Sequence, residues 1–327
     1  MEKIRTAVVG VGYLGSYHAE KYSALPQSEL VAVCDIHHER CYAKAKELNA
    51  EAVINYQSLI GLVDAVSIAV PTPLHHAVAR FFLDNGIHVL LEKPIATTLE
   101  EADDLIAAAK RNRVILQIGH LERFNSAVKA VEPLISNPRF IESLRLAPFR
   151  LRGTDVNVVL DLMIHDIDII QSIVKSDIQN ISASGASVLS PYVDIANARI
   201  EFTNGCVANV TASRVSLKIE RKLRIFQHDN YVAIDLDHKK MAIHRKGTHE
   251  MFPGIPEITR QVERFHKGDA LMDQISAFLN SIIHNKPPVI SGEEGKRALA
   301  TALEISLIVR RTNEQFPISP IAAENVE

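Results

Sequence analysis

The sequence has few cysteines, and none of them forms a recognisable pair. Its three cysteines, Cys34, Cys41 and Cys206, fit neither a disulfide framework nor the CxxC spacing of a metal site. We therefore interpret them as ordinary thiols in the core of a protein that works in a reducing compartment, and we expect a cytoplasmic location.

Long uncharged apolar runs and an excess of positive charge are also absent. No such run reaches the roughly 18 to 20 residues that span a bilayer, because Asp64, Asp84 and Glu92 interrupt the most hydrophobic region. The formal net charge is −3, and the basic residues do not form the stripe that a nucleic acid requires. The first apolar stretch is too short and too rich in glycine for a signal peptide. We expect a small-molecule partner, with no nucleic acid and no membrane.

Buried strands alternate with helices in the first part of the chain. The 327 residues, of which 47% are hydrophobic and 23% charged, are enough for two domains. Residues 1–120 contain the apolar runs RTAVVG, LVAVCD, AVSIAV, HVLLEKP and VILQIG, separated by amphipathic stretches. Strands so continuously apolar are buried on both faces, so we predict an α/β Rossmann domain with a doubly wound parallel sheet.

The second part, residues 121–327, has a different order of predicted elements. Strand-like runs follow one another at 178–189, 195–203, 206–215, 222–228 and 231–236, and Asn204-Gly205 is a hairpin signal between two of them. This pattern predicts an α+β domain with a largely antiparallel sheet. Two helices are expected near 269–284 and 293–313. They either belong to this domain or pack back on the first domain.

A glycine-rich turn follows the first predicted strand. Gly10, Gly12 and Gly15 have GxGxxG spacing at the start of a predicted helix, and Asp35 ends the second strand 20 residues beyond Gly15. In a dinucleotide site the glycines allow the tight turn, the approach of the pyrophosphate and close helix packing, while the helix N-terminus attracts the phosphates. This context makes the pattern much more specific than glycine spacing alone.

The acidic residue favours NAD over NADP. A carboxylate at position 35 accepts hydrogen bonds from ribose hydroxyls and repels a 2′-phosphate. The basic side chains of His37, His38 and Arg40 leave NADP open as the alternative.

The segment DLMIHDIDII, residues 161 to 170, interrupts an apolar helix with ionisable groups. At about 100° per residue, Asp161, His165 and Asp168 fall on one helical face, whereas Asp166 points away toward solvent or other polar groups. Such a face fits either an internal polar network or a site for acid and base chemistry. A metal site is not expected, since no fourth ligand accompanies the three.

Several motifs in order resemble one enzyme family. GVGYLGSYHA, PTPLHHA, EKPIA, GHLERFN and DLMIHDID are similar to the Gfo/Idh/MocA family of nicotinamide-dependent oxidoreductases, over about residues 4 to 312. The resemblance implies an open-faced sheet in the second domain, a sugar, inositol or nucleotide-sugar substrate, a cis bond before Pro94, and a homodimer or homotetramer formed through that sheet. Two other functions stay open: a regulatory protein that binds dinucleotide without turnover, and a glycoside hydrolase that uses NAD.

The resemblance also implies roles for individual residues. The catalytic groups are Lys93, Asp161 and His165. The expected cofactor contacts are Gly10, Gly12, Tyr13, Leu14, Gly15, Asp35, Pro71, Thr72, His75, Glu92 and Lys93. The expected substrate contacts are Lys93, His120, Arg123, Asp161 and His165.

Some of these assignments have alternatives. A salt bridge between the two domains is the alternative role for Arg123. Either Lys93 or His165 could be the base. If the substrate carries a diphosphate, the candidate cations are Arg150 with Arg152, or Arg214 with Lys218.

Overall fold

The computed structural model describes residues 3–149, 156–265 and 268–315, which form two compact units. The described residues of 1–133 and 264–300 make up the first unit, and those of 134–263 and 301–315 make up the second. The first unit therefore continues past the boundary expected at residue 120 and takes in a later part of the chain. Within the described ranges, no helix combines the length and apolar character needed to cross a membrane.

The first unit contains a six-stranded parallel sheet. Its elements are β1 (Ile4–Val9), α1 (Tyr13–Ala24), β2 (Ser28–Cys34), α2 (His38–Leu48), β3 (Glu51–Val53), β4 (Ala65–Ile68), α3 (His75–Asp84), β5 (His88–Glu92), α4 (Leu99–Asn112), β6 (Leu116–Gly119) and α5 (Ser126–Val131). The strand order β3-β2-β1-β4-β5-β6 is that of a doubly wound Rossmann sheet. The predicted fold of this part is confirmed.

The core of the first unit forms because the central strands are apolar on both faces. Val8 of β1 and Leu90 of β5 have no exposed surface, and Tyr22 of α1 packs in the same cluster. Phe278 also lies in this cluster, and it belongs to a late helix, which we label α7 below. This helix thus packs on the Rossmann sheet, which is one of the two placements that the sequence left open.

The second unit is built on an eight-stranded sheet. Its elements and the two late helices are β7 (Phe140–Leu146), α6 (Ile164–Val174), β8 (Ile178–Ala186), β9 (Ile195–Phe202), β10 (Val207–Ser213), β11 (Glu220–Phe226), β12 (Asn230–Asp235), β13 (Lys240–Phe252), β14 (Ile255–Arg264), α7 (Ala270–Ile283) and α8 (Gly292–Gln315). The strand order is β14-β13-β12-β11-β7-β10-β9-β8. Burial alternates along β7 and β9, so one face of the sheet is buried and the other is open.

Most neighbouring strands of this sheet are antiparallel, as predicted. The pairs β8–β9, β9–β10, β7–β11, β11–β12 and β12–β13 are antiparallel, whereas β7 and β10 are parallel. Asn204 and Gly205 form the predicted turn between β9 and β10, where Gly205 has a φ of 80°. Strands β13 and β14 of this sheet, and β3 of the first sheet, were not predicted.

Candidate active site

The glycine turn after β1 is closely packed at two positions and open at the third. A Cβ added to Gly10, which has a φ of 86°, would lie 2.7 Å from the carbonyl oxygen of Ala69. A Cβ on Gly15 would lie 1.7 Å from the carbonyl oxygen of Gly10. At Gly12 an added Cβ would meet nothing within 4 Å. Gly10 and Gly15 are therefore required for packing, whereas Gly12 leaves space for a ligand such as a pyrophosphate.

The helix that follows this turn presents an uncapped N-terminus. Helix α1 begins at Tyr13, and its N-cap is Gly12, which has no side chain to accept the first N–H groups. Tyr13 and Leu14 are exposed beside it. The N–H groups of this first turn and the positive end of the helix dipole fit a phosphate group.

Asp35 ties the second strand to the glycine turn. Its buried carboxylate accepts hydrogen bonds from the main-chain N–H of Val11 and of His37, each at 2.9 Å. Arg40 adds two more, from Nε at 3.0 Å and from Nη2 at 2.7 Å. Burial raises the pKa of Asp35, but the hydrogen bonds from Arg40, His37 and Val11 outweigh it and hold the pKa below its usual value. The residue is thus an ionised acceptor.

Three expected site residues lie at the carboxyl ends of neighbouring parallel strands. Thr72 follows β4, Lys93 follows β5 and His120 follows β6, and these strands are adjacent in the sheet. This edge is where open α/β sheets bind ligands. The Lys93–Pro94 peptide bond is cis, as the resemblance implied. Pro71 and Thr72 start a short 3-10 turn at the same edge.

His75 does not have the role expected of it. Its side chain is buried, with Nδ1 2.8 Å from the carbonyl oxygen of Pro94 and Nε2 2.9 Å from that of Val70. Burial lowers its pKa, although the two carbonyl groups oppose this effect. Because both ring nitrogens face main-chain oxygens, we correct the expected cofactor contact: His75 connects the loops after β4 and β5.

Arg123 takes part in an ion pair within the first unit. Its Nη2 lies 3.1 Å from Oε1 of Glu294, and both side chains are largely buried. The sequence offered a salt bridge as the alternative to a substrate contact, but one between domains, whereas this pair lies within one unit. The neighbouring His120 is almost fully buried at the end of β6.

In the second unit, the segment with Asp161 and His165 is not a regular α-helix. Residues Val159–Met163 form a π-helical turn that leads into α6. Asn157 caps the turn, since its Oδ1 accepts hydrogen bonds from the N–H of Val159 at 3.1 Å and of Leu160 at 3.0 Å. Hydrogen bonds that join residues five apart alter the angular spacing predicted from an α-helix, and π turns are frequent at functional sites.

The four ionisable side chains of this segment differ in their exposure to solvent. Asp161 and His165 are partly exposed, whereas Asp166 and Asp168 are buried. Of the two surroundings expected for Asp166, solvent and other polar groups, the structure shows the second: its carboxylate accepts hydrogen bonds from Arg145, at 2.7 Å from Nε and 3.0 Å from Nη2. The groups accessible to a substrate are therefore Asp161 and His165.

Arg214 also differs from its expected role. It is buried and forms an ion pair with Asp194 at 2.8 Å, and its Nη1 donates to the carbonyl oxygen of Val156. It is therefore part of the scaffold and not a free cation for a diphosphate. Lys218 is exposed, and Arg150 and Arg152 lie outside the described residues.

Sequence reasoning overlooked two residues that shape these sites. Asn157 carries a recognisable signal, because asparagine just before a helical segment is a common N-cap. Arg145 carries no such signal, since its pairing with Asp166 joins β7 to α6. In the parts of the chain that the structure describes, no group of three or more His, Cys, Asp or Glu side chains could hold a metal ion.

Comparison with known proteins identifies similar sequences over nearly the whole chain. A sequence model of the GFO/IDH/MocA oxidoreductase family, described as having an NAD-binding Rossmann fold, matches residues 4–120. A model of the C-terminal domain of this family matches residues 137–229. The chain is 38% identical over 310 residues to UDP-N-acetylglucosamine 3-dehydrogenase of Acidithiobacillus ferrooxidans. The aligned region covers 94% of this chain and 98% of that protein. It is 28% identical over 311 residues to scyllo-inositol 2-dehydrogenase (NAD(+)) of Bacillus subtilis. This aligned region covers 88% of this chain and 89% of that protein.

Solved structures show the same relationship. The structure of the Acidithiobacillus ferrooxidans enzyme matches with a TM-score of 0.90 and covers 95% of this chain and 99% of that one. A scyllo-inositol dehydrogenase from Lactobacillus casei, solved with bound NAD(H) and scyllo-inositol, matches with a TM-score of 0.80 at 21% identity, covering 95% and 98%. The second match concerns the fold alone.

Proposed function

Since the chain belongs to the GFO/IDH/MocA family of oxidoreductases, we propose that it oxidises UDP-N-acetylglucosamine at C3 with NAD as the hydride acceptor. Family membership makes it a nicotinamide-dependent dehydrogenase that acts on a CH–OH group. The observation that carries the substrate is the 38% identity to an enzyme of that activity over 94% of this chain. The segment GHLERFN, which starts at Gly119, resembles the same branch of the family.

We propose NAD as the cofactor in preference to NADP. The ionised Asp35 would accept hydrogen bonds from the adenosine ribose and repel a 2′-phosphate. Its four acceptor positions are already used, two by main-chain N–H groups and two by Arg40. The Arg40 side chain is 46% exposed, so it is the partner that can move aside. Gly12 and the N-terminus of α1 would hold the pyrophosphate.

The proton of the substrate hydroxyl requires groups from this chain. When bound, the nicotinamide accepts the hydride from the substrate carbon. We propose His165 as the general base, because the ordinary pKa of histidine, about 6.5, lies near neutral pH. Asp161, earlier in the same helical segment, would orient the hydroxyl or stabilise the imidazolium. Lys93 would donate a hydrogen bond to the oxygen on which negative charge develops.

The function is tested by following NADH absorbance with a panel of sugars, inositols and UDP-sugars. We expect NADH formation with UDP-N-acetylglucosamine, and much slower reaction with UDP-glucose or free N-acetylglucosamine. NAD binding without NADH from any substrate would contradict the dehydrogenase assignment and favour a regulatory protein. Glycosidic cleavage without net NADH would favour a hydrolase.

The catalytic residues are tested by His165→Asn and Lys93→Met. We expect each change to lower kcat by at least about 100-fold, since positioned acid and base groups contribute factors of this order. NAD affinity should stay within about threefold of the original in His165→Asn. His228→Asn and Lys46→Met, at exposed positions, serve as matched controls with unchanged turnover. Unchanged turnover in both catalytic variants would refute the assignment.

We also propose that the protein works in the cytoplasm as a homodimer or homotetramer. All three cysteines are free and buried, which suits a reducing compartment. The open face of the eight-stranded sheet offers a surface on which a second copy could pack.

A further inference from the structure

A buried ion pair contacts the main chain just before the π turn of Val159–Met163. Arg214 directly follows β10, and Asp194 directly precedes β9. Both side chains are almost inaccessible to solvent. Nε of Arg214 lies 2.8 Å from Oδ1 of Asp194, while Nη1 donates to the carbonyl oxygen of Val156 at 2.7 Å. The guanidinium group therefore joins the loop of residues 187–194, between β8 and β9, to the chain that leads into the π turn.

This loop is itself held in place by the same ion pair. Oδ2 of Asp194 accepts hydrogen bonds from three consecutive main-chain N–H groups, those of residues 188–190, at 2.7 to 2.9 Å. The hydroxyl of Ser190 donates to Oδ1 of Asp194 at 2.7 Å and accepts from Nη2 of Arg214 at 3.0 Å. A buried polar network with so many of its hydrogen bonds made is rigid. Arg214 thus connects Val156 to a fixed support.

Further hydrogen bonds connect this support with Asp161. The N–H of Val158 donates to the carbonyl oxygen of Val193, in the same loop, at 2.9 Å. Asn157 lies between the two attached positions, and its carbonyl oxygen accepts the N–H of Asp161 at 3.1 Å. The side chain of Asn157 caps the π turn and donates to Oγ of Ser306 at 3.1 Å. The main chain of Asp161 is therefore attached to a residue whose two neighbours are both held by the loop.

We propose that Arg214, paired with Asp194, is a positioning residue for the reaction and sets the place of Asp161 through the main chain at Val156. This inference rests on the proposed function, which includes Asp161 among the groups that act on the substrate. Because Arg214 is buried, it acts through the main chain and not by contact with the substrate. A misplacement of about 1 Å in a site of this kind lowers the rate by a factor on the order of 100. Loss of the hydrogen bond to Val156 should therefore slow catalysis more than it destabilises the fold.

The first test replaces Arg214 by lysine. Arg214→Lys keeps a positive charge beside the buried Asp194, so the fold should persist. One ammonium group cannot replace the planar fork that reaches Val156, Asp194 and Ser190 at once. We expect hydrogen exchange at the N–H groups of residues 158–161, followed by mass spectrometry of peptides that cover the turn, to become about tenfold faster after loss of this charged hydrogen bond. Exchange in the second half of α6 should not change.

Turnover and isotope effects separate positioning from a general loss of stability. We expect the kcat of Arg214→Lys to fall about tenfold or more, since the site is misplaced, while its affinity for NAD is unchanged. With UDP-N-acetylglucosamine deuterated at C3, the primary isotope effect on kcat should rise, because a misplaced Asp161 slows hydride transfer relative to product release. A variant that only unfolds more easily keeps the isotope effect of the original protein.

Gln227→Ala is the matched control for stability. Gln227 follows β11, at the end of the sheet opposite to Arg214. Its Oε1 accepts the N–H groups of Ser136 at 2.8 Å and Asn137 at 3.1 Å, and its Nε2 donates to the carbonyl oxygen of Leu134 at 3.1 Å. The change should lower the melting temperature but leave exchange at the π turn, kcat and the isotope effect unchanged.

A milder variant keeps the inference testable if Arg214→Lys does not fold. Ser190→Ala removes one of the three partners of the guanidinium group and leaves both charges in place. It should change exchange at residues 158–161 and kcat in the same direction as Arg214→Lys, but less.

Unchanged exchange at residues 158–161 in both variants would overturn the inference. Faster exchange with unchanged kcat and isotope effect would also overturn it, since catalysis would then not depend on this support. Absence of NADH formation in the original protein would instead contradict the proposed function, and exchange would still decide whether Arg214 fixes the turn.

Discussion

A single carboxylate, that of Asp35, has one observed contact with the glycine turn and one proposed role in cofactor choice. It accepts a hydrogen bond from the N–H of Val11 in the turn, and we propose that its charge opposes a 2′-phosphate. Arg40 now neutralises that charge through two hydrogen bonds. Removing the charge of Asp35 alone should therefore both end the repulsion and release a cation that can bind a phosphate.

We predict that Asp35→Asn raises the affinity for NADPH relative to NADH by at least about tenfold, which corresponds to about 1.4 kcal/mol. The amide keeps an acceptor for the glycine turn, so the fold should persist. Titration followed by nicotinamide fluorescence measures both affinities. The double variant Asp35→Asn, Arg40→Ala is the control, and it should lose most of the gain if Arg40 supplies the cation. An unchanged ratio of the two affinities in Asp35→Asn would show that cofactor choice depends on other residues.

At the scale of elements, the local pattern of apolar residues predicted the strands that are buried on one or both faces. Five of the six strands of the first unit were recognised because both of their faces are apolar, as Val66 and Leu90 illustrate with no exposed surface. Strand β3 was missed because its three residues are too few to show a pattern. Strands β13 and β14 were missed because much of their length is exposed on both faces, so neither alternation nor a continuous apolar run marks them.

In the candidate site, too, features set by neighbouring residues were predicted, whereas contacts between residues far apart in the sequence were not. Lys93 and Asp35 were placed correctly at strand ends, because strand boundaries and motif spacing are local properties of the sequence. For Asp166 the sequence left two surroundings open, because helical spacing says nothing about its partner, Arg145, which comes from a strand about 20 residues earlier. The π turn at Val159–Met163 was also invisible, since its sequence has ordinary helical periodicity.

At the scale of the whole molecule, the two units carry different groups that make stability depend on pH. In the first unit, burial lowers the pKa values of His75 and His88, and Asp64 partly opposes this for His88. His88 Nδ1 accepts the N–H of Ile115 at 2.9 Å, a hydrogen bond that protonation of this nitrogen would break. In the second unit, burial raises the pKa of Asp194, but hydrogen bonds from Ser190, Arg214 and the main chain outweigh it and hold the pKa far below its usual value.

These shifts predict that acid weakens the first unit before the second. A histidine whose pKa is lower in the folded state contributes its full stability above its unfolded pKa of about 6.5, and this contribution is lost as the pH falls toward the folded value. The contribution of Asp194 is complete above about pH 4 and is lost only below it. Hydrogen exchange, corrected for the intrinsic effect of pH, should therefore show protection falling around His75 and His88 between pH 7 and 5 while it persists around Asp194. In His88→Gln, which cannot be protonated, the fall in stability over this range should be smaller. Equal loss of protection in both units between pH 7 and 5 would contradict this assignment, because histidine burial would then not be the cause.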